Sequence, residues 1–169
     1  YIRTQADYNF QMGEAYSLDK DQKKAVESFK TVLIYDNSSA VVDIRIAGEY
    51  VKLGQMSLAL EHAELAVKKD PKSVDGRILL GGIYSSMKYY DKAFAQYEKI
   101  LKIDKDNLET PLYIGDNYEE KKEYDLAIKF FQKLADHNEN PNPHVAWYYV
   151  GRIRAKQKKK GSQASAIEA

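Results

Sequence analysis

The chain has 169 residues, 44% of them apolar, with 26 basic against 25 acidic side chains and a net charge of +1. That apolar share supports a folded core and excludes wholesale disorder. The charge balance disfavours a dedicated nucleic-acid binder, which carries a basic excess. Cysteine is absent, which excludes disulfides, thiolate metal sites and cysteine nucleophiles.

No apolar run approaches the roughly 20 residues of a membrane-spanning helix, and no signal peptide is visible. Because the chain starts at Tyr1 rather than Met, it is expected to be a piece of a longer protein. A cytoplasmic location is expected slightly ahead of a periplasmic one.

Taken in order, the predicted elements repeat every 34 residues, in units that open at Ala6, Ala40, Val74 and Leu108. The first unit, about 6–39, sets Met12, Gly13 and Tyr16 on one helix, then a polar turn, then Ala25 and Phe29 on a second helix. The second, about 40–73, repeats this with Ile46, Ala47 and Tyr50, then Ala59 and Ala63. Ala63 leaves a leaner core, which Leu60 and Leu65 are expected to fill. The third, about 74–107, carries Leu80, Gly81 and Tyr84, then Ala93 and Tyr97. The fourth, about 108–141, carries Ile114, Gly115 and Tyr118, then Ala127 and Phe131. Pro111 falls in the first turn of its helix, where a missing N–H is tolerated. After NENPNPH, WYYVG (Trp147 to Gly151) opens a fifth first helix, in a partial unit over about 144–169. The tail GSQASAIEA (Gly161 to Ala169) supplies either the turn and start of a fifth second helix, with Ala166 at its contact, or a frayed end.

Within each unit the apolar and small residues recur at spacings of three and four, which is one face of a helix. The polar turns LDKDQ, LGQMS, MKYYD and KKEYD join the two helices of each pair. The small residues have a packing role. Gly81 and Ala93 are expected to bring two helix backbones close, with Tyr84 and Tyr97 filling the space beside them.

This pattern resembles the tetratricopeptide repeat. LLGGIY (Leu79 to Tyr84) and LYIGDNY (Leu112 to Tyr118) are similar to the first half of its signature. AVESF (Ala25 to Phe29) and AIKFF (Ala127 to Phe131) are similar to the second. The departures are Asn9, Asp43, Arg77 and Pro111 at the family's first aromatic, kept only by Trp147, and a closing proline kept only at Pro71. The resemblance implies an all-α, right-handed superhelical solenoid of antiparallel helix pairs, a single array across residues 1–169. It also implies a non-enzymatic scaffold that binds a peptide or helix of another protein in a concave groove lined by the first helices.

On that reading the inward fifth residues are Phe10, Ile44, Ile78, Leu112 and Tyr148, and the ninth include Gly48, Gly82 and Asp116. The glycines would leave room above Ile44 and Ile78 for a bulky side chain or helix. Some family members hold a C-terminal carboxylate with Lys, Asn and Arg at such places; here they are apolar, glycine or acidic, which disfavours that use. The alternative is an assembly module that self-associates, or packs on neighbouring domains, through its terminal repeats. Asp116 and Glu120 are expected to face Arg152 and Lys156 rather than a basic ligand. RIRAKQKKK (Arg152 to Lys160) holds six basic residues and no interleaved aromatic. It is read as a solvated end, with RNA and membrane contact disfavoured.

No catalytic set is expected. His62, His137 and His144 lack a third ligand at metal spacing. DKDNLE (Asp104 to Glu109) lacks the glycine of a calcium loop, and Gly81–Gly82 sits mid-helix rather than after a strand. Asn37–Ser38–Ser39 is a glycosylation sequon only in a secretory pathway. No metal or cofactor is expected.

Overall fold

The computed structural model describes residues 2–136 and 143–167, with side chains described over 4–136 and 143–158. Among the described residues every regular element is an α-helix. They are α1 (Ile2–Leu18), α2 (Gln22–Tyr35), α3 (Ala40–Lys52), α4 (Met56–Lys69), α5 (Val74–Ser86), α6 (Tyr90–Ile103), α7 (Thr110–Lys121), α8 (Tyr124–Ala135) and α9 (Pro143–Ile167). They fall into two compact units, Tyr1–Ile103 and Asp104–Ala169. In the first unit α1 packs on α2, α3 on α4 and α5 on α6, and successive pairs stack through α2–α3 and α4–α5. In the second, α9 packs mainly on α8, and α7 touches both.

The turns repeat as closely as the helices. Lys20, Gly54, Lys88 and Lys122, each 34 residues after the last, all adopt positive φ between 59° and 71°. This left-handed residue closes the first helix of each pair. The N–H groups of Asp21, Gln55, Tyr89 and Glu123 then donate to the carbonyls of Tyr16, Tyr50, Tyr84 and Tyr118 at 2.8–3.0 Å. That capping satisfies carbonyls that the helix end would otherwise leave bare.

The links between pairs have their own rule. Asp36, Asp70 and Asp104 each accept a hydrogen bond from the backbone N–H two residues on, at 3.0–3.2 Å. Ser39 and Ser73 then cap the next helix, accepting from the N–H groups of Val42 and Gly76, and Asn107 accepts from the N–H of Thr110, the first residue of α7. DKDNLE is therefore a turn-and-cap sequence. The Asp104 carboxylate also takes a bond from the Asn107 side chain at 3.1 Å.

The core of the first, third and fourth pairs is a ring on a glycine. A Cβ placed on Gly13 would stand 2.5 Å from Phe29, one on Gly81 2.4 Å from Tyr97, and one on Gly115 3.2 Å from Phe131. Phe29, Tyr97 and Phe131 are buried. Gly81 therefore makes room for the Tyr97 ring itself, not only for a neighbouring backbone. Where the ring is missing, at Ala63, the facing residue is Ala47, and both are fully buried. Leu65 does not fill the space as expected: it stays 37% exposed, because its place on α4 turns it outward.

The tail corrects a second expectation. α9 runs unbroken through Gly161 to Ile167, so no turn opens a fifth second helix there. The side chain of Ala166 lies outside the described residues.

The ring–glycine contact predicts a measurable coupling. Gly81→Ala is expected to cost about 1–3 kcal/mol from overpacking, and Tyr97→Ala about 3–5 kcal/mol. The double variant, which copies Ala47 and Ala63, should lose less than the sum. Urea titrations of the four proteins give the coupling energy; strict additivity would mean that the two residues do not share this space.

Candidate functional site

In the first unit, the residues singled out on the first helices fall into two kinds. Phe10 is half-buried and meets Phe29 edge-on, with ring centroids 5.6 Å apart. Ile44 and Ile78 are also half-buried, and the Ile44 Cδ1 lies 3.5 Å from where a Cβ on Gly76 would stand, so part of its surface packs α3 against α5. Gly48 and Gly82 differ from every ring-packed glycine. A Cβ on either would meet nothing within 4 Å. Glu14, at the same register on α1, is held by Arg45 of α3 at 2.8 Å.

Two polar residues at the fourth position of their units are buried and paired, which the sequence reading missed. The Asp43 carboxylate, fully buried, takes His62 Nδ1 at 2.8 Å and Lys69 Nζ at 2.5 Å. Arg77 is 6% exposed; it donates to Gln96 at 2.7 Å and to the carbonyl of Pro71. His62 and Gln96 each lie 19 residues after their partner. That shared offset, in place of the family's aromatic contact, is the signal that could have found them. Burial acts to raise the Asp43 carboxyl, but the hydrogen bonds from His62 and Lys69 outweigh it, and the group sits below its ordinary value of 3.8.

In the second unit, Leu112 is 40% and Tyr148 is 65% exposed. Asp116 pairs with Arg152 at 3.2 Å. The stronger partner of Arg152 is Glu119, which accepts from its Nε at 3.0 Å and Nη2 at 2.7 Å and also binds Lys156. Glu119 thus takes the place expected of Glu120, which is exposed; one residue along the helix turns the carboxylate toward α9. Burial acts to raise Glu119, and Lys156 and Arg152 more than offset it, leaving its pKa below 4.5. Arg152 also lies 5.0 Å from the Tyr149 ring. Arg152 and Lys156 of RIRAKQKKK are therefore engaged within the unit.

No cluster of three or more His, Asp or Glu fit to hold a metal ion occurs among the described residues. His62 is committed to Asp43, His144 is exposed at the start of α9, and His137 lies outside the described residues. No helix among them is long and apolar enough to cross a membrane.

This architecture is that of a helix-pair repeat protein: all-α among the described residues, with a ring-on-glycine contact in the first, third and fourth pairs and alanines in its place in the second. Residues 74–107 and 112–140 each match the tetratricopeptide-repeat family, and the fold around them is that of a tetratricopeptide-repeat-like solenoid. No curated protein matches the chain. Among solved structures, a crystal structure of MamA protein is similar at TM-score 0.73 and 18% identity, over 97% of this chain and 87% of that one. The Sgt2 TPR domain from Aspergillus fumigatus is similar at 0.65 and 24%, over 71% and 81%. The first TPR of Spaghetti (RPAP3) bound to the HSP90 peptide SRMEEVD is similar at 0.66 and 17%, over 70% and 97%.

The Asp43 cluster predicts an acid-sensitive second repeat. A carboxyl lowered on folding contributes stability that is complete above its unfolded value and is lost as pH falls through the folded one. Asp43→Asn should cost about 3 kcal/mol at neutral pH, the scale for removing one partner of a buried charge pair. It should also flatten the fall in urea midpoint below about pH 4. An unchanged acid slope in the variant would assign that fall to other carboxylates.

Proposed function

We propose that this chain is a non-enzymatic protein-interaction module. It binds an apolar-anchored peptide or helix of a partner along α3 and α5, over Ile44, Gly48, Ile78 and Gly82. One observation carries this reading: Gly48 and Gly82 occupy the same register on helices that touch, and nothing fills the space above either. A helical glycine costs about 1 kcal/mol relative to alanine. The ring-packed glycines repay that cost through core contacts, whereas these two have no internal contact to do so. A partner's side chain set against bare backbone is a physical reason for keeping them.

The two tetratricopeptide-repeat matches support the class of activity. The fold neighbour that carries the HSP90 peptide, and the second TPR domain of human RPAP3 in complex with the HSP70 peptide SGPTIEEVD, support a peptide as the kind of ligand. Acidic tails of that kind are disfavoured here, because the ninth positions of the first unit offer Glu14, Gly48 and Gly82 and no cation. Leu112, Asp116 and Tyr148 remain proposed contacts of the second unit. Self-association through terminal repeats is a second reading, favoured by the exposed face of α9.

The test is selection of peptides from a random displayed library, followed by affinity measurement on the purified protein. Peptides with apolar anchors should bind wild type and lose at least tenfold in affinity to Ile78→Arg and Gly82→Arg, with helix content unchanged. Gly82→Ala should raise stability by about 0.4–1 kcal/mol while weakening the same peptides. Full binding by the folded arginine variants would place the ligand elsewhere.

A further inference from the structure

The charges on the first helices of the first unit are nearly all balanced by neighbours, and those left over share one sign. Among the described side chains of α1, α3 and α5 every cation has a partner. Arg45 holds Glu14 at 2.8 Å, Lys52 holds Glu49 at 2.7 Å, and Arg77 donates to Gln96 and to the Pro71 carbonyl. The buried Asp43 is held by His62 and Lys69. Two ions are left, Asp7 on α1 and Asp75 on α5. Both are exposed, and neither side chain has a partner among the described residues.

Asp7 and Asp75 stand 34 residues before and after Val41, so the three share one register on successive first helices. α3 lies between the other two: it is tied to α1 through Arg45–Glu14 and Ser17–Glu49, and it packs on α5. The row therefore reads acid, aliphatic, acid. Val41 is 54% exposed, and Ile44 follows it one turn along α3, toward the space above Gly48. The helix dipole gives a reason for Asp75, in the first turn of α5, but not for Asp7, because the first turn of α1 holds no acid. Packed neighbouring helices lie about 8–10 Å apart, which sets the two aspartates roughly 16–20 Å apart across α3. An extended chain rising about 3.3 Å per residue covers that distance in about five or six residues.

We infer that the segment bound over Ile44 and Ile78 is basic on both sides of its apolar anchor. A lysine or arginine about two or three residues to either side reaches Asp7 at one edge and Asp75 at the other. The occupant is thus a basic, apolar-centred segment of another protein. This rests on the peptide-binding reading of the α3–α5 surface and adds the charge of its ligand. The aspartates lie at the rim, where charge sets association rate and salt dependence more than it sets residence.

Selection from displayed peptides with leucine fixed at the centre and random flanks tests it. On wild type, Lys and Arg should be enriched on both sides of the leucine. The selected peptides, remade with Glu in place of those basic residues, should bind at least about tenfold more weakly at low salt. That difference should shrink severalfold at about 0.5 M salt, where screening is short-ranged. Asp7→Lys combined with Asp75→Lys should turn the preference toward acidic flanks. Because a lysine opposes the dipole in the first turn of α5, Asp75→Asn serves as a second variant; it should erase the preference on one flank with helix content unchanged. Apolar-anchored peptides that show no charge preference, or that keep a basic one in the aspartate variants, would overturn the role of Asp7 and Asp75 and leave the α3–α5 surface standing. Peptides that bind folded Ile78→Arg as well as wild type, or no enrichment at all, would overturn both.

Discussion

The contact between an aromatic ring on a second helix and a missing side chain on the first sets the distance within each pair. A Cβ on Gly81 would stand 2.4 Å from the Tyr97 ring, well inside van der Waals contact. Moving the ring away would open a void in a buried core, and moving the helix away would expose the apolar residues beside it. Both cost kilocalories, so glycine and ring hold each other in place. The second pair supports the argument by breaking it symmetrically. There the ring is Ala63, the glycine is Ala47, and both are fully buried. Volume on one helix is traded for volume on the other, which keeps the pair closed.

That exchange explains what was legible in the sequence. A 34-residue period with a small residue at one place and a large one at another is a packing rule written in residue types, so the helix pairs could be read directly. The turns obey the same period. Yet Lys20, Lys88 and Lys122 conceal a left-handed conformation that only Gly54 announces. Backbone geometry, not residue preference, is what repeats there. The Asp36, Asp70 and Asp104 turns were legible and went unread, because one of them mimicked part of a calcium loop. Glu119 was missed for a different reason. Adjacent residues on a helix point about 100° apart, and the choice between Glu119 and Glu120 depends on how α7 and α9 are rotated, which residue spacing alone does not fix.

The buried polar residues follow a related logic. Where the family would place an aromatic, Asp43 and Arg77 enter the interior, and each is matched by a polar partner 19 residues later. A buried unpaired carboxylate or guanidinium would cost several kilocalories. The partners reduce that penalty without making the pair a source of net stability. Such pairs are better suited to specifying register. Asp43 accepts His62 and Lys69 from α4, and Arg77 bonds Gln96 and the loop carbonyl of Pro71, so a slip of one residue would strand a charge. The ring–glycine contacts supply closeness, and the polar pairs tie α3 to α4 and α5 to α6.

Against this background the glycines sort themselves by what lies above them. Gly13, Gly81 and Gly115 are required by the core. Gly54 is required by a positive φ of 71°. Gly48, Gly82 and Gly151 are required by neither, and each sits in the middle of a helix where alanine would be more stable by about 1 kcal/mol. Folding alone gives no reason to keep them. The partner proposed for α3 and α5 would supply one, because bare backbone is where an apolar side chain can approach most closely. The two sites differ in what they offer: Gly48 and Gly82 lie beside aliphatic Ile44 and Ile78, whereas Gly151 lies between an exposed tryptophan and an exposed arginine. The first is the surface proposed to take an apolar anchor from a different protein.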